Sequence, residues 1–224
     1  MAINRGPNLT TQGLVLALDP INTRSYPGSG NIISDLSGKG NDGTLVNNPT
    51  FDTGTFLFDG TSHITTPVNT AVNYLFADNT QNWTCNIWFK PNGVDGVICG
   101  IGTGIGTETT FALYTQASNL ICKLRGSETT ISTNLNTEDF HCVTVSWDGA
   151  NALGYYNDSN GIALSVGTAT PQTQNYGIAD PAGGNLSNYN RFSGEVSANF
   201  LYDIALDSDQ AIGNYKSLSS RFGL

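Results

Sequence analysis

Charge is scarce in this chain. Only 12% of its 224 residues are Asp, Glu, Lys or Arg, and just 9 of them are basic. With 18 acidic residues the formal net charge is -9, so a phosphate backbone is repelled and nucleic acid is excluded as a partner. Long apolar runs are also missing. The longest near the start, Leu14 to Leu18, is far below the eighteen or so residues of a membrane helix. The polar residues before it, with Arg5 alone basic, lack the form of a secretion signal, so synthesis in a cytoplasm and no membrane partner are expected. Histidine is limited to His63 and His141. The four cysteines, Cys85, Cys99, Cys122 and Cys142, form no C-x-x-C pair and sit among apolar or β-branched neighbours. That pattern suits buried reduced thiols rather than a zinc site or a disulfide framework.

Catalytic signatures are equally thin. No G-x-S-x-G elbow occurs, and neither histidine has an obvious acid or nucleophile beside it. The run Gly100 to Gly106 lacks G-x-G-x-x-G spacing and reads as a loop between strands; Gly38-Lys39 lacks the remainder of a phosphate loop. The glutamates are Glu108, Glu128, Glu138 and Glu195, and none belongs to the Glu-x-Asp-x-x-Glu strand motif that sets two acids on one face for glycoside cleavage. No catalytic residue is assigned, and the chain is expected not to be an enzyme.

What the chain does contain is strand and turn chemistry. Gly (26 residues), Asn and Thr are abundant, while strong helix formers are sparse, which favours an all-β class. Apolar or alternating segments recur near 14–18, 55–58, 83–90, 94–101, 109–115, 119–124, 128–133, 140–147, 150–156, 161–166 and 195–202. Asn92-Gly93, Asp95-Gly96, Asp148-Gly149 and Asn160-Gly161 mark tight turns and imply antiparallel hairpins. In 83–90 the odd positions Trp83, Cys85, Ile87 and Phe89 form a core face, with Trp88 pointing the other way. Val143, Val145 and Trp147 oppose Phe140, Cys142, Thr144 and Ser146 in the same manner, and two packed sheets account for both strands. One segment changes period: Asp207 and Gln210 form a capping box before Ala211, Ile212, Tyr215 and Leu218, predicting one short C-terminal helix.

An ordered series of segments carries a family resemblance. Gly13 to Asp19, Ser25-Tyr26-Pro27-Gly28-Ser29-Gly30 and Asp35 to Leu45 come first, followed by Phe56 to Thr61, Trp83 to Pro91 and Phe140 to Gly149. Phe192 to Val196, Asn214-Tyr215 and Arg221-Phe222-Gly223-Leu224 complete it. Together they resemble LamG-like, concanavalin A-like jelly-roll domains. The resemblance implies a β-sandwich of two antiparallel sheets over residues 12–224, with Arg221 to Leu224 packed back on it. Residues 1–11 would be a polar arm that orders on a neighbouring subunit, or a frayed terminus. Phe140 and Cys142 depart from the family's W-H-H-V strand, so no ligand role passes to that strand.

The S-Y-P-G-S-G and R-F-G-L segments are most similar to virion proteins of tailed phages, particularly those of marine and cyanobacterial hosts. That similarity implies a non-enzymatic structural protein located in the virion as a capsid decoration or tail, neck or fibre module. Its partners would be other virion proteins and copies of itself. The competing expectation is an adhesin that binds host surface glycans through aromatic platforms, with Trp88, Tyr114, Tyr155, Tyr156 and Tyr189 as candidates; the alternative for each is burial as a core residue. No cofactor is required by either reading. Ca²⁺ enters only through relatives that bind it and the oxygen-bearing loop of Asp35, Asn41 and Asp42, for which turn formation is the competing role.

Overall fold

The computed structural model describes residues 8–67, 71–77, 80–102, 109–170, 174–180 and 190–224. The first half of the chain forms β1 (Leu14–Leu18), β2 (Ile32–Ile33), β3 (Gly43–Val46), β4 (Thr50–Asp52), β5 (Thr55–Asp59), β6 (His63–Thr65), helix α1 (Ala71–Ala77), β7 (Trp83–Pro91) and β8 (Gly96–Ile101). It continues through β9 (Phe111–Gln116), β10 (Asn119–Leu124), β11 (Ser127–Ser132), β12 (His141–Trp147), β13 (Ala152–Tyr156), β14 (Ile162–Leu164), β15 (Gly177–Ile178) and β16 (Ser193–Tyr202). Helix α2 (Ser208–Leu218) and a 3-10 turn (Ser219–Phe222) end it.

These strands build two eight-stranded antiparallel sheets. The first has the order β14-β13-β12-β7-β16-β5-β4, with β1 pairing the second half of β16 beyond the stretch that pairs β5. The second has the order β11-β10-β9-β8-β15-β6-β3-β2. The facing surfaces form the main core, and it holds Trp83, Cys85, Ile87, Phe89, Val143, Val145 and Trp147 on the faces that alternation assigns to them. The expected jelly-roll sandwich is therefore present. Cys85 and Cys99 meet across the two sheets with sulfurs 4.0 Å apart, and all four cysteines are buried and free. Burial drives the Cys99 and Cys122 thiols well above their ordinary pKa and pushes Cys142 up to about 12.

The outer face of the first sheet is covered as well, by a helix and not by a third sheet. Asp207 caps α2 as expected: it accepts from Gln210 N at 2.9 Å, while Gln210 Oε1 accepts from Asp207 N. The helix and 3-10 turn lie over Trp88, Phe200 and Tyr202, closing a second apolar cluster. Polar residues at the even positions of β7 and β12 are used to seat the approach to the helix. Thr84 accepts from Leu206 N and donates to Ile204 O, and Ser146 donates to Leu206 O at 2.9 Å. The closing segment packs back as expected, with Phe222 stacked on Trp88 at 4.5 Å and Arg221 Nη1 2.9 Å from Asp19 Oδ2.

Two local expectations need correction. Neither Asn92-Gly93 nor Asp95-Gly96 joins a hairpin, because β7 and β8 belong to different sheets and residues 92–95 arch between them. A second helix, α1, precedes β7 in addition to the one expected; Val72, Leu75 and Phe76 recur at helical spacing and are buried, a pattern of barely two turns. Of the proposed arm, residues 8–11 are attached to the domain: Leu9 packs against the outer cluster and Thr10 N donates to Asn214 Oδ1 at 2.7 Å. Residues 1–7 lie outside the described residues.

Burial of a histidine in the main layer sets one pH response. The Tyr156 hydroxyl donates to His141 Nδ1 at 2.7 Å, and His141 Nε2–H donates to the Asn136 carbonyl at 3.0 Å. Both ring nitrogens are occupied by the neutral form, and desolvation holds the pKa below the usual histidine value. The unfolded chain therefore binds the proton first, and stability falls as pH drops from about 6.5 toward the lower folded value. Melting curves between pH 8 and 5 should show this decline, with a shallower slope in His141→Gln; equal slopes would remove His141 as its source.

Candidate functional site

Where α2 stops covering the first sheet, a groove of about 940 Å³ remains open. Its floor is the outer face of β12, β13 and β14, formed by Ser146, Leu153, Tyr155 and Ala163. Ala205, Leu206, Asp207 and Ser208 form one wall, held in place by the Thr84 and Ser146 bonds to Leu206. The turn Asp148 to Asn151 closes one end, and Asn160-Gly161 closes the other. Asp148 is locked into its turn by Ala150 N at 2.8 Å and Asn151 N at 2.6 Å, bonds that also draw its pKa down. Gly161 is required for space and not for a left-handed backbone. A Cβ there would lie 2.7 Å from the Tyr155 ring, so the absent side chain lets the ring slide under the turn.

The groove divides its surface between an apolar floor and a polar rim. Leu153 and Ala163 supply apolar floor over the buried Tyr155 ring, while carboxylate, amide and hydroxyl groups stand at the edges. The side chains of Asn160 and Ser208 and the hydroxyl of Tyr155 make no hydrogen bond among the described residues, and Asp207 uses only Oδ1 in capping. Burial, followed by the Asp207 charge, raises the Tyr155 pKa, so the phenol is held as a neutral hydroxyl able to donate.

Of the five aromatic candidates, only Tyr155 is brought to the groove, and its ring is buried at 2% exposure. Trp88 is corrected: at 0% exposure its ring is stacked against Phe222 and Tyr215, which cover the surface a sugar would need. Tyr114 is corrected likewise, buried on the outer face of the second sheet with Val97 and Ile121. Tyr156 is half-buried, and its hydroxyl is engaged by His141. Tyr189 lies outside the described residues. Sequence reasoning missed Ser146, Leu153, Asn160, Ala163 and Ser208, which come from separate segments and share no motif; Asp207 was found only as a cap.

The loop considered for Ca²⁺ spends its oxygens on itself. Asp35 accepts from Ala17 N, Ser37 N, Ser37 Oγ and Asn41 N, while Asp42 accepts from Asp35 N. These bonds make the loop a set of Asx turns that ties residues 35–42 to β1. Among the described residues no group of three or more His, Cys, Asp or Glu could hold a metal ion. Glu195, the carboxylate leading into the longest strand, is paired with Lys90 at 3.0 Å.

Searches with family models and against curated proteins find no match. Solved structures do match. A mutant of Trypanosoma rangeli sialidase displaying trans-sialidase activity superposes with TM-score 0.69 at 14% identity, over 94% of this chain and 34% of that one. The same organism's sialidase in complex with sialic acid gives 0.69 at 17% identity, over 92% and 33%. The binding domain of botulinum neurotoxin DC in complex with rat synaptotagmin II gives 0.64 at 12% identity, over 92% and 52%. The chain thus spans about a third to a half of these proteins, and at such identities the likeness establishes the β-sandwich fold.

Proposed function

We propose that this chain is a non-catalytic carbohydrate-recognition module that binds host-surface glycan in the groove between α2 and the β12-β13-β14 edge. The observation that carries this reading is the groove itself, an open trough with an apolar floor and unengaged polar groups at its rim. A pyranose has the matching character, with C–H patches for the floor and hydroxyls for the rim, and the volume is within the range of ligand pockets. The same fold in a sialidase solved with sialic acid and in a toxin binding domain supports a recognition role in general terms. On the resemblance of its opening and closing segments, the module is carried on a tailed-phage virion, through contacts with other virion proteins and copies of itself. Those segments contribute Tyr26, Arg221 and Phe222 to packing, which leaves the groove free.

A glycan array tests the reading. The wild-type chain should bind oligosaccharides, and Ala163→Trp, which places an indole on the exposed floor, should weaken binding at least about tenfold, or about 1.4 kcal/mol. An unchanged circular dichroism spectrum would show that the fold survives. Binding to no glycan, or binding indifferent to Ala163→Trp, would reject the proposal.

A further inference from the structure

We infer that the groove selects uncharged, hydroxyl-rich glycans and rejects those bearing carboxylate or sulfate groups. This deepens the carbohydrate-recognition reading and rests on it. Asp148 stands at one end of the groove and Asp207 on its wall, and among the described residues the lining contains no Lys, Arg or His. Among the described residues, the start of α2 is the one positive feature, equivalent to about half an elementary charge, and Asp207 already caps it. Two carboxylates against about half a positive charge leave the trough negative, in a chain whose formal net charge is -9.

Chemistry at each end separates the two ligand classes. A neutral sugar hydroxyl can donate to Asp207 Oδ2, which capping leaves available, and can pair with Asn160, Ser208 or the Tyr155 hydroxyl. A glycan carboxylate or sulfate brings only acceptors and a negative charge, would find no cationic partner in the lining, and would face two like charges. The preference is therefore opposite to a sialic acid site, although a sialidase shares the fold.

Matched pairs test this: neutral oligosaccharides and their sialylated or sulfated derivatives, printed side by side at low salt. Wild type should bind the neutral member at least about tenfold better, with a gap that narrows as salt rises. The double variant Asp148→Asn, Asp207→Asn should reduce the gap to about threefold or less. Asn keeps both the turn acceptor and a helix cap, so charge is removed with little change in shape. Equal or tighter binding of the anionic members, or an unchanged gap in the double variant, overturns the inference while leaving the glycan reading intact. Failure of both members of every pair to bind overturns the glycan reading itself.

Discussion

Replacing Trp88 with alanine should lower the free energy of unfolding by about 3–5 kcal/mol, the range for deleting a large buried aromatic. The indole is fully buried, stacks on Phe222 at 4.5 Å and on Tyr215 at 5.5 Å, and anchors both the helix and the 3-10 turn to the sheet. For a chain of this size, that loss lowers the melting temperature by about 6–20 °C. Trp88→Phe should cost much less, because it keeps an aromatic ring in the stack and removes an indole N–H that has no partner among the described residues. Calorimetry on the two variants distinguishes packing from sugar stacking. A Trp88→Ala protein of wild-type stability that had lost glycan binding would reverse the assignment of Trp88 to the core.

Removing Arg221 to Leu224 should cost about 2–4 kcal/mol, through two effects at one edge. Phe222 leaves the ring stack, and Asp19, at 7% exposure with its second oxygen already unpartnered among the described residues, loses its guanidinium. Arg221 is partly exposed, so solvent screening keeps the electrostatic share small and the lost aromatic packing dominates. The single variants should rank accordingly, with Phe222→Ala worse than Arg221→Ala. Denaturation midpoints that match wild type after deletion of all four residues would contradict the packed-back terminus.

The fold was largely legible because its longer strands repeat their alternation. Trp83 to Phe89 and Val143 to Trp147 declare a core face, and Asp207 with Gln210 declares the helix that follows. Strands such as β2, β4 and β15 have two or three residues, too few to complete the pattern, and exist because longer neighbours offer them an edge. Trp88 shows a different limit. Its position revealed that it points away from the main core, but what covers it lies some 130 residues further along the chain, where Tyr215 and Phe222 read only as helix and tail.

The groove was the least legible part. Leu153, Ala163 and Ser208 are ordinary strand and helix-start residues in their own segments, and they become one surface only when β12, β13 and β14 pair and Leu206 is fastened to Thr84 and Ser146. Asp148 and Asp207 were visible as turn and cap residues because local hydrogen bonding has a sequence signature. Their shared electrostatic effect on a trough has none.

Amide chemical-shift mapping on the folded chain, titrated with the best-binding neutral oligosaccharide, addresses the central assignment directly. Changes should concentrate at residues 146–153, 160–166 and 205–208, and the added oligosaccharide should remain uncleaved. Perturbations centred on any other face, or the appearance of shorter sugars during the titration, would contradict a recognition groove at this edge of the sandwich.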